Sequence, residues 1–204
     1  MISLITGLGA SMLHVISGPD HLAAVTPLAL SKNLKAWFVG LFWGIGHVLG
    51  ALIIGGLFIL LRELIPIDLI SNYSEQAVGI MLIAIGLWAF WKLRRPHHHH
   101  HKEISTKKTL ISAISIGIIH GLTGVSHIIG ILPTLALPSR FDAVMYLVGF
   151  ALGTIITMVI YSYLLGLITK KTVSLQKPIL YKHINVIGGV FAILVGIYWI
   201  GLTW

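Results

Sequence analysis

Six stretches of this chain are apolar for long enough to cross a hydrocarbon layer, and no other property restricts its fold as much. A helix rises about 1.5 Å per residue and a bilayer core is about 30 Å thick, so a span needs about 20 largely apolar residues. The stretches lie near residues 2–30, 36–61, 77–92, 109–137, 143–169 and 184–204 and leave little chain for anything else. At 56% hydrophobic and 10% charged residues, with a mean hydropathy of +0.94, the composition lies outside the range of a soluble domain. In lipid every backbone polar group must find its partner within the protein, which favours helices for segments of this length. The sequence therefore predicts an all-α integral membrane protein with six transmembrane helices. The opening MISLITGLGA has no basic residues ahead of its apolar run, which continues past His14 and His21, so it reads as a mature span rather than a cleaved signal. There is no cysteine, which excludes thiol redox transfer by this chain.

Charge sets the expected orientation. Twelve of the fourteen Lys and Arg residues, Lys32, Lys35, Lys92, Arg94, Arg95, Lys102, Lys107, Lys108, Lys170, Lys171, Lys177 and Lys182, follow spans 1, 3 and 5; Arg62 and Arg140 follow spans 2 and 4. Basic loops stay in the cytoplasm. The expectation is a multi-pass protein of the cell membrane with both termini outside and the loop containing His97–His101 inside. The formal net charge of +8 is then a sign of topology, with attraction to anionic lipid, and no basic-aromatic stripe points to nucleic acid.

The chain also repeats. HVISGPDHLAAVTPLAL from His14 aligns with HGLTGVSHIIGILPTLAL from His120 at an offset of 106, matching His14 with His120, Gly18 with Gly124, Asp20 with Ser126, His21 with His127 and Pro27 with Pro133. VGLFWG from Val39 resembles VGFALG from Val148, and the third spans share glycines at Gly79/Gly189 and Gly86/Gly196. Each copy holds three spans, and an odd number forces the second copy to enter the membrane in the opposite sense. The expected division is a first three-helix repeat over 1–93, a cytoplasmic His-rich linker over 94–108 and a second repeat over 109–204. Such inverted repeats bind substrate near the midplane.

Spans 1 and 4 are too long for one straight crossing, and Gly18-Pro19 in the first and Gly121, Gly124 and Pro133 in the fourth are places for a break. The histidines lie there. An unbroken helix would put His14 and His21 on one face two turns apart, and a break would gather them around one centre; the sequence allows both. A carboxylate within a membrane segment costs roughly 2.5–3.5 kcal/mol unless partnered, which marks Asp20 as functional. Imidazole and carboxylate donors suit divalent nickel, cobalt, zinc or iron. The candidate metal ligands are His14, Asp20, His21, His47, His120 and His127. His47, in WGIGHVLG, aligns with Ile156 and breaks the symmetry, with Thr154 and Thr157 as polar neighbours on the matching span. Thr123 and Ser126 carry further oxygens, although helix hydroxyls more often bond back to the chain. His97–His101 reads as a metal-buffering or sensing loop, His183 as an interface residue, and Trp88, Trp91, Trp199 and Trp204 as belt or packing aromatics.

HVISGPDHLAAVTPLAL followed by WGIGHVLG resembles the nickel/cobalt transporter superfamily, and within it the short six-span branch of UreH-like nickel permeases, over nearly the whole chain. The larger members carry His-x4-Asp-His, one residue shorter than the spacing from His14 to Asp20-His21. The resemblance implies metal contact by His14, Asp20 and His21 and a polar role for His47; the second-half histidines follow from the internal repeat. The function expected is secondary transport of Ni2+ or Co2+, with Zn2+ and Fe2+ as further cargo, by alternating access at a midplane site. No enzyme activity and no prosthetic group are expected, and a cytoplasmic metal acceptor or donor is a possible partner. The rival readings are a membrane metalloenzyme, which needs more clustered carboxylates than one Asp, and a sensor or metal-delivery scaffold working through the His loop.

Overall fold

A computed structural model of the chain describes residues 1–30, 35–61, 67–94, 106–122, 133–134, 137–174 and 178–202. Its helices are α1 (Ile2–Ser17), α2 (Pro19–Ala29), α3 (Ala36–Leu61), α4 (Ile67–Arg94), α5 (Thr106–Leu122), α6 (Arg140–Ser174) and α7 (Pro178–Leu202), and there is no strand among the described residues. The all-α reading holds. Among the described residues, three helices are long and apolar enough to cross a membrane singly, from Ala36–Ile54, Arg140–Ser174 and Ile179–Gly201, and the bent pair α1 and α2 is so when taken together. The outer faces are apolar as lipid requires: Ile5, Leu13, Ile16, Leu52, Leu164 and Leu194 are all exposed.

Some bounds differ from those read in the sequence. The third expected span, 77–92, lies within α4, which starts ten residues earlier, at Ile67, and runs through the polar stretch Ser71-Asn72-Tyr73-Ser74-Glu75. Helical hydrogen bonding does not stop where hydropathy does. The same holds for α6, which runs on through Lys170 and Lys171 to Ser174. The fourth expected span, 109–137, begins as α5 and leaves the described residues after Leu122.

The first span breaks where Gly18-Pro19 stands, with α1 and α2 bent by 74°. A proline disfavours helical geometry at the residue before it, and Gly18 is extended at φ −89° and ψ 97°. Pro19 then opens α2 at a position where its missing N–H costs nothing. The Gly18 N–H still bonds to the His14 carbonyl at 3.0 Å, and the Gly18 carbonyl accepts from the His21 N–H at 3.2 Å, so backbone pairing bridges the corner. Gly18 serves for space: a Cβ there would lie against His21 Nδ1 and 2.8 Å from Asp20 Oδ1.

The helices pair across the two halves: α1 packs on α6, α3 on α5 and on α6, and α4 on α7. Small residues make these contacts close, as in membrane helix pairs generally. In α4 and α7 the pattern is reciprocal. A Cβ on Gly79 would meet the Gly196 carbonyl at 2.7 Å and one on Gly196 the Gly79 carbonyl at 2.6 Å, and Gly86 faces Gly189 likewise, at 2.6 Å from one side and 3.3 Å from the other. Exchanging the aligned pairs Gly79/Gly189 and Gly86/Gly196 turns one contact into the other. The order runs opposite along the two helices, so the operation is a two-fold perpendicular to them, as an inverted repeat requires.

Candidate metal centre

Four histidines and one carboxylate converge at the corner between α1 and α2. His14 lies on the last turn of α1, Asp20 and His21 on the first turn of α2, His47 midway along α3 and His120 near the end of α5. Asp20, His21, His47 and His120 are buried and His14 is half-buried. The break decides between the two geometries open in the sequence. It folds His21 back so that its ring centroid is 4.8 Å from that of His14, whereas two turns of straight helix would hold them about 10 Å apart along the axis.

Asp20 ties two helices together. Its Oδ1 is 3.0 Å from His21 Nδ1, and its Oδ2 is 3.1 Å from His120 Nε2. An ionised carboxylate only accepts hydrogen bonds, and His21 Nδ1 is placed to donate to it in the tautomer that carries its proton there. The His21 ring lies 5.1 Å from His47 and 4.8 Å from His120, centroid to centroid. Two sets of donors result. One nitrogen from each of His14, His21 and His47 lies within 4.8 Å of the others, and so do one donor atom each from Asp20, His21 and His120. Ligands about 2.1 Å from a shared ion are roughly 3–4 Å apart, so modest rotations of these side chains would close either set on a divalent cation.

The approach of α5 to α3 depends on Gly117 and Gly121. A Cβ on Gly117 would meet the Trp43 carbonyl and lie 3.0 Å from the His47 amide nitrogen; one on Gly121 would meet the His47 carbonyl and lie 2.8 Å from the Ala51 nitrogen. Backbone contact at this point is what brings His120 to His47 and Asp20.

The structure adds a residue that the sequence reading left out. Trp43, fully buried, stacks on His47 with ring centroids 4.9 Å apart and planes 10° from parallel, and also lies 5.8 Å from His21 and 5.4 Å from His120. It stands one turn before His47 on α3, and that i, i+4 spacing was the available signal. Phe150 of α6 closes the side of His14 at 5.9 Å. Thr154 and Thr157 are occupied elsewhere: their hydroxyls donate to the carbonyls of Phe150 and Gly153, one turn back, at 3.0 and 2.7 Å. Ile156, the counterpart of His47, lies on the exposed side of α6. His183 is exposed and pairs with the Ile179 carbonyl, while Trp88 and Trp199 pack against the core and Trp91 is exposed. His127, Ser126, Thr123, the His97–His101 run and Trp204 lie outside the described residues.

Helices with an apolar exterior, a broken first span and a buried histidine and carboxylate centre define a polytopic helical membrane protein with a polar locus inside it. The chain belongs to the family described as the cytochrome c biogenesis protein transmembrane region, whose family model matches residues 4–198. It is 36% identical over 172 residues to the chloroplast protein FOR GROWTH AND FERTILITY 2 of Arabidopsis thaliana, covering 79% of this chain and 46% of that protein. The chain spans about half the length of the plant relatives it matches. It is also 29% identical over 213 residues to the urease accessory protein UreH of Bacillus sp. (strain TB-90), covering 98% of this chain and 91% of UreH. A protein of Methanocaldococcus jannaschii provisionally named a nickel/cobalt efflux system is 27% identical over 163 residues, covering 78% of this chain and 73% of its own. The resemblance to the UreH-like branch thus stands over nearly the whole chain. No solved structure matches it.

Proposed function

We propose that this protein carries divalent transition-metal ions, Ni2+ or Co2+ foremost, across a cell membrane through the centre formed by His14, Asp20, His21, His47 and His120. The observation that carries the reading is the convergence of five nitrogen and oxygen donors from four helices on a site inside an apolar bundle. Burying a carboxylate and four imidazoles among helices is costly unless they serve a polar ligand. The names of UreH and of the archaeal nickel/cobalt efflux system support the same cargo. One carboxylate neutralises only half of a dication's charge, which suits a cargo that must be released. The repeats 1–93 and 109–204 would open the centre to either side in turn, with His127 joining it in part of the cycle. The Lys and Arg bias puts the termini outside and the His97–His101 loop in the cytoplasm, where it would exchange ions with a soluble acceptor or donor.

The test is ion flux into proteoliposomes for the wild type, Asp20→Ala and His21→Ala with Ni2+, Co2+, Zn2+ and Fe2+. Both variants should lose most of the flux of the preferred ion. Equal flux in the three proteins would remove this centre from the transport path.

A further inference from the structure

The two donor sets share one residue. His14, His21 and His47 form one triad, Asp20, His21 and His120 the other, and His21 belongs to both. We infer that these are two successive, mutually exclusive stations for a single divalent ion, with His21 as the ligand that keeps hold of it during the passage between them. The inference rests on the transport reading above and adds an order and a stoichiometry to it.

The stations differ in access and in chemistry. The first includes the half-buried His14 and offers three neutral imidazoles; the second consists of buried residues and contains the carboxylate. An ion reaching the centre past His14 therefore meets the neutral set first and the charged, enclosed set second. The ring of His21 stands between them, with centroids 4.8 Å from His14, 5.1 Å from His47 and 4.8 Å from His120.

Geometry at His21 makes the stations exclusive. While Nδ1 donates its proton to Asp20 Oδ1, 3.0 Å away, the ring can ligate an ion only through Nε2, and a histidine oriented by a carboxylate in this way is a common metal ligand. An ion lodged between Asp20 and His21 takes Nδ1 instead. The bonds to His14, His47 and Nε2 break, bonds to Asp20, His120 Nε2 and His21 Nδ1 form, the His21 proton passes from Nδ1 to Nε2, and the His120 proton passes from Nε2 to Nδ1. Proton count and charge are the same before and after. Two ions at once would need an imidazole stripped of both protons between two dications only a few ångströms apart, which their repulsion opposes.

The experiment is a Co2+ titration of the full chain in nanodiscs, read by visible absorption and by equilibrium dialysis, in a background where His97 to His101 are each changed to Gln so that the loop adds no ion; wild type here denotes the otherwise unaltered chain. Co2+ bands report the donor set, so the two stations are distinguishable. Wild type should bind one Co2+ per chain. His47→Gln should retain one ion with the spectrum of the carboxylate-containing set, and His120→Gln one ion with that of the three-imidazole set, each about tenfold weaker. His21→Gln should weaken binding about a hundredfold or more, with thermal unfolding confirming that each variant is folded. Two ions per wild-type chain would overturn the inference. Identical spectra for His47→Gln and His120→Gln, or loss of binding in either as complete as in His21→Gln, would also overturn it by showing one undivided site, and would leave the transport reading intact. A folded wild type that binds no Co2+ and moves none would overturn both.

Discussion

Gly121→Ala changes no ligand, yet it should weaken metal binding, because the spacing of α3 and α5 is set by the absence of a side chain at that position. An alanine Cβ there would meet the His47 carbonyl and lie 2.8 Å from the Ala51 nitrogen. An ordinary nonbonded contact needs about 3.5 Å, so the helices must separate by about 0.7 Å or more. Backbone cannot rotate out of the way as a side chain can. Overpacking of this kind costs about 1–3 kcal/mol. The displacement falls on His47 and carries His120 away from Asp20, where the present contact is 3.1 Å. Misplacing a constellation by about 1 Å can cost a factor of about a hundred, so we expect Ni2+ or Co2+ affinity to fall roughly tenfold to a hundredfold. The assay is metal titration and thermal unfolding of the variant in detergent beside Gly9→Ala. Gly9 is also helical, but a Cβ there would have nothing within 4 Å, so alanine should be neutral or stabilising by up to about 1 kcal/mol. If Gly121→Ala bound metal and melted like Gly9→Ala, control of the site by backbone contact would be refuted.

Protons compete with the ion for the same imidazole lone pairs, so affinity should fall on acidification; an affinity unchanged from about pH 7.5 down to about pH 4 would speak against histidine ligation. Tyr161 of α6 shares a 2.6 Å hydrogen bond with Thr26 of α2, and Tyr161→Phe should lower stability by about 1 kcal/mol, seen as a reduced melting temperature. Gly79→Ala and Gly196→Ala should destabilise by similar amounts, since each side chain would meet the other's carbonyl at nearly the same distance, and clearly unequal unfolding midpoints would contradict that reciprocal contact.

Much of this was legible in the sequence because it is encoded locally. Apolar length announced the spans, Gly18-Pro19 announced the corner, and the matched histidines announced where to look. What the sequence left open was non-local. Whether His14 and His21 stack along one helix or close around a bend depends on the backbone angle at Gly18, and helix propensity does not determine that angle. The partnership of His120 with Asp20 depends on which helices pair, and the pairing of α3 with α5 crosses from one half of the chain to the other. Trp43 passed unnoticed because a tryptophan in an apolar span is the ordinary content of a membrane helix. Thr154 and Thr157 stood out as polar neighbours on the matching span, but in a membrane a hydroxyl one turn from a carbonyl bonds back to its own helix.

The corner at Gly18 has an electrical side as well. Breaking a span leaves two helix ends inside the bilayer, and the aligned peptide dipoles give each end about half an elementary charge, negative where α1 stops and positive where α2 starts. His14 sits at the negative end and Asp20 at the positive one. A cation beside His14 is therefore drawn by backbone as well as by imidazole, and the Asp20 carboxylate keeps a compensating field when no cation is present. In the transport cycle proposed above, the centre also returns without its ion. With that field built into the backbone, the vacant centre does not have to leave an uncompensated charge in lipid on the return.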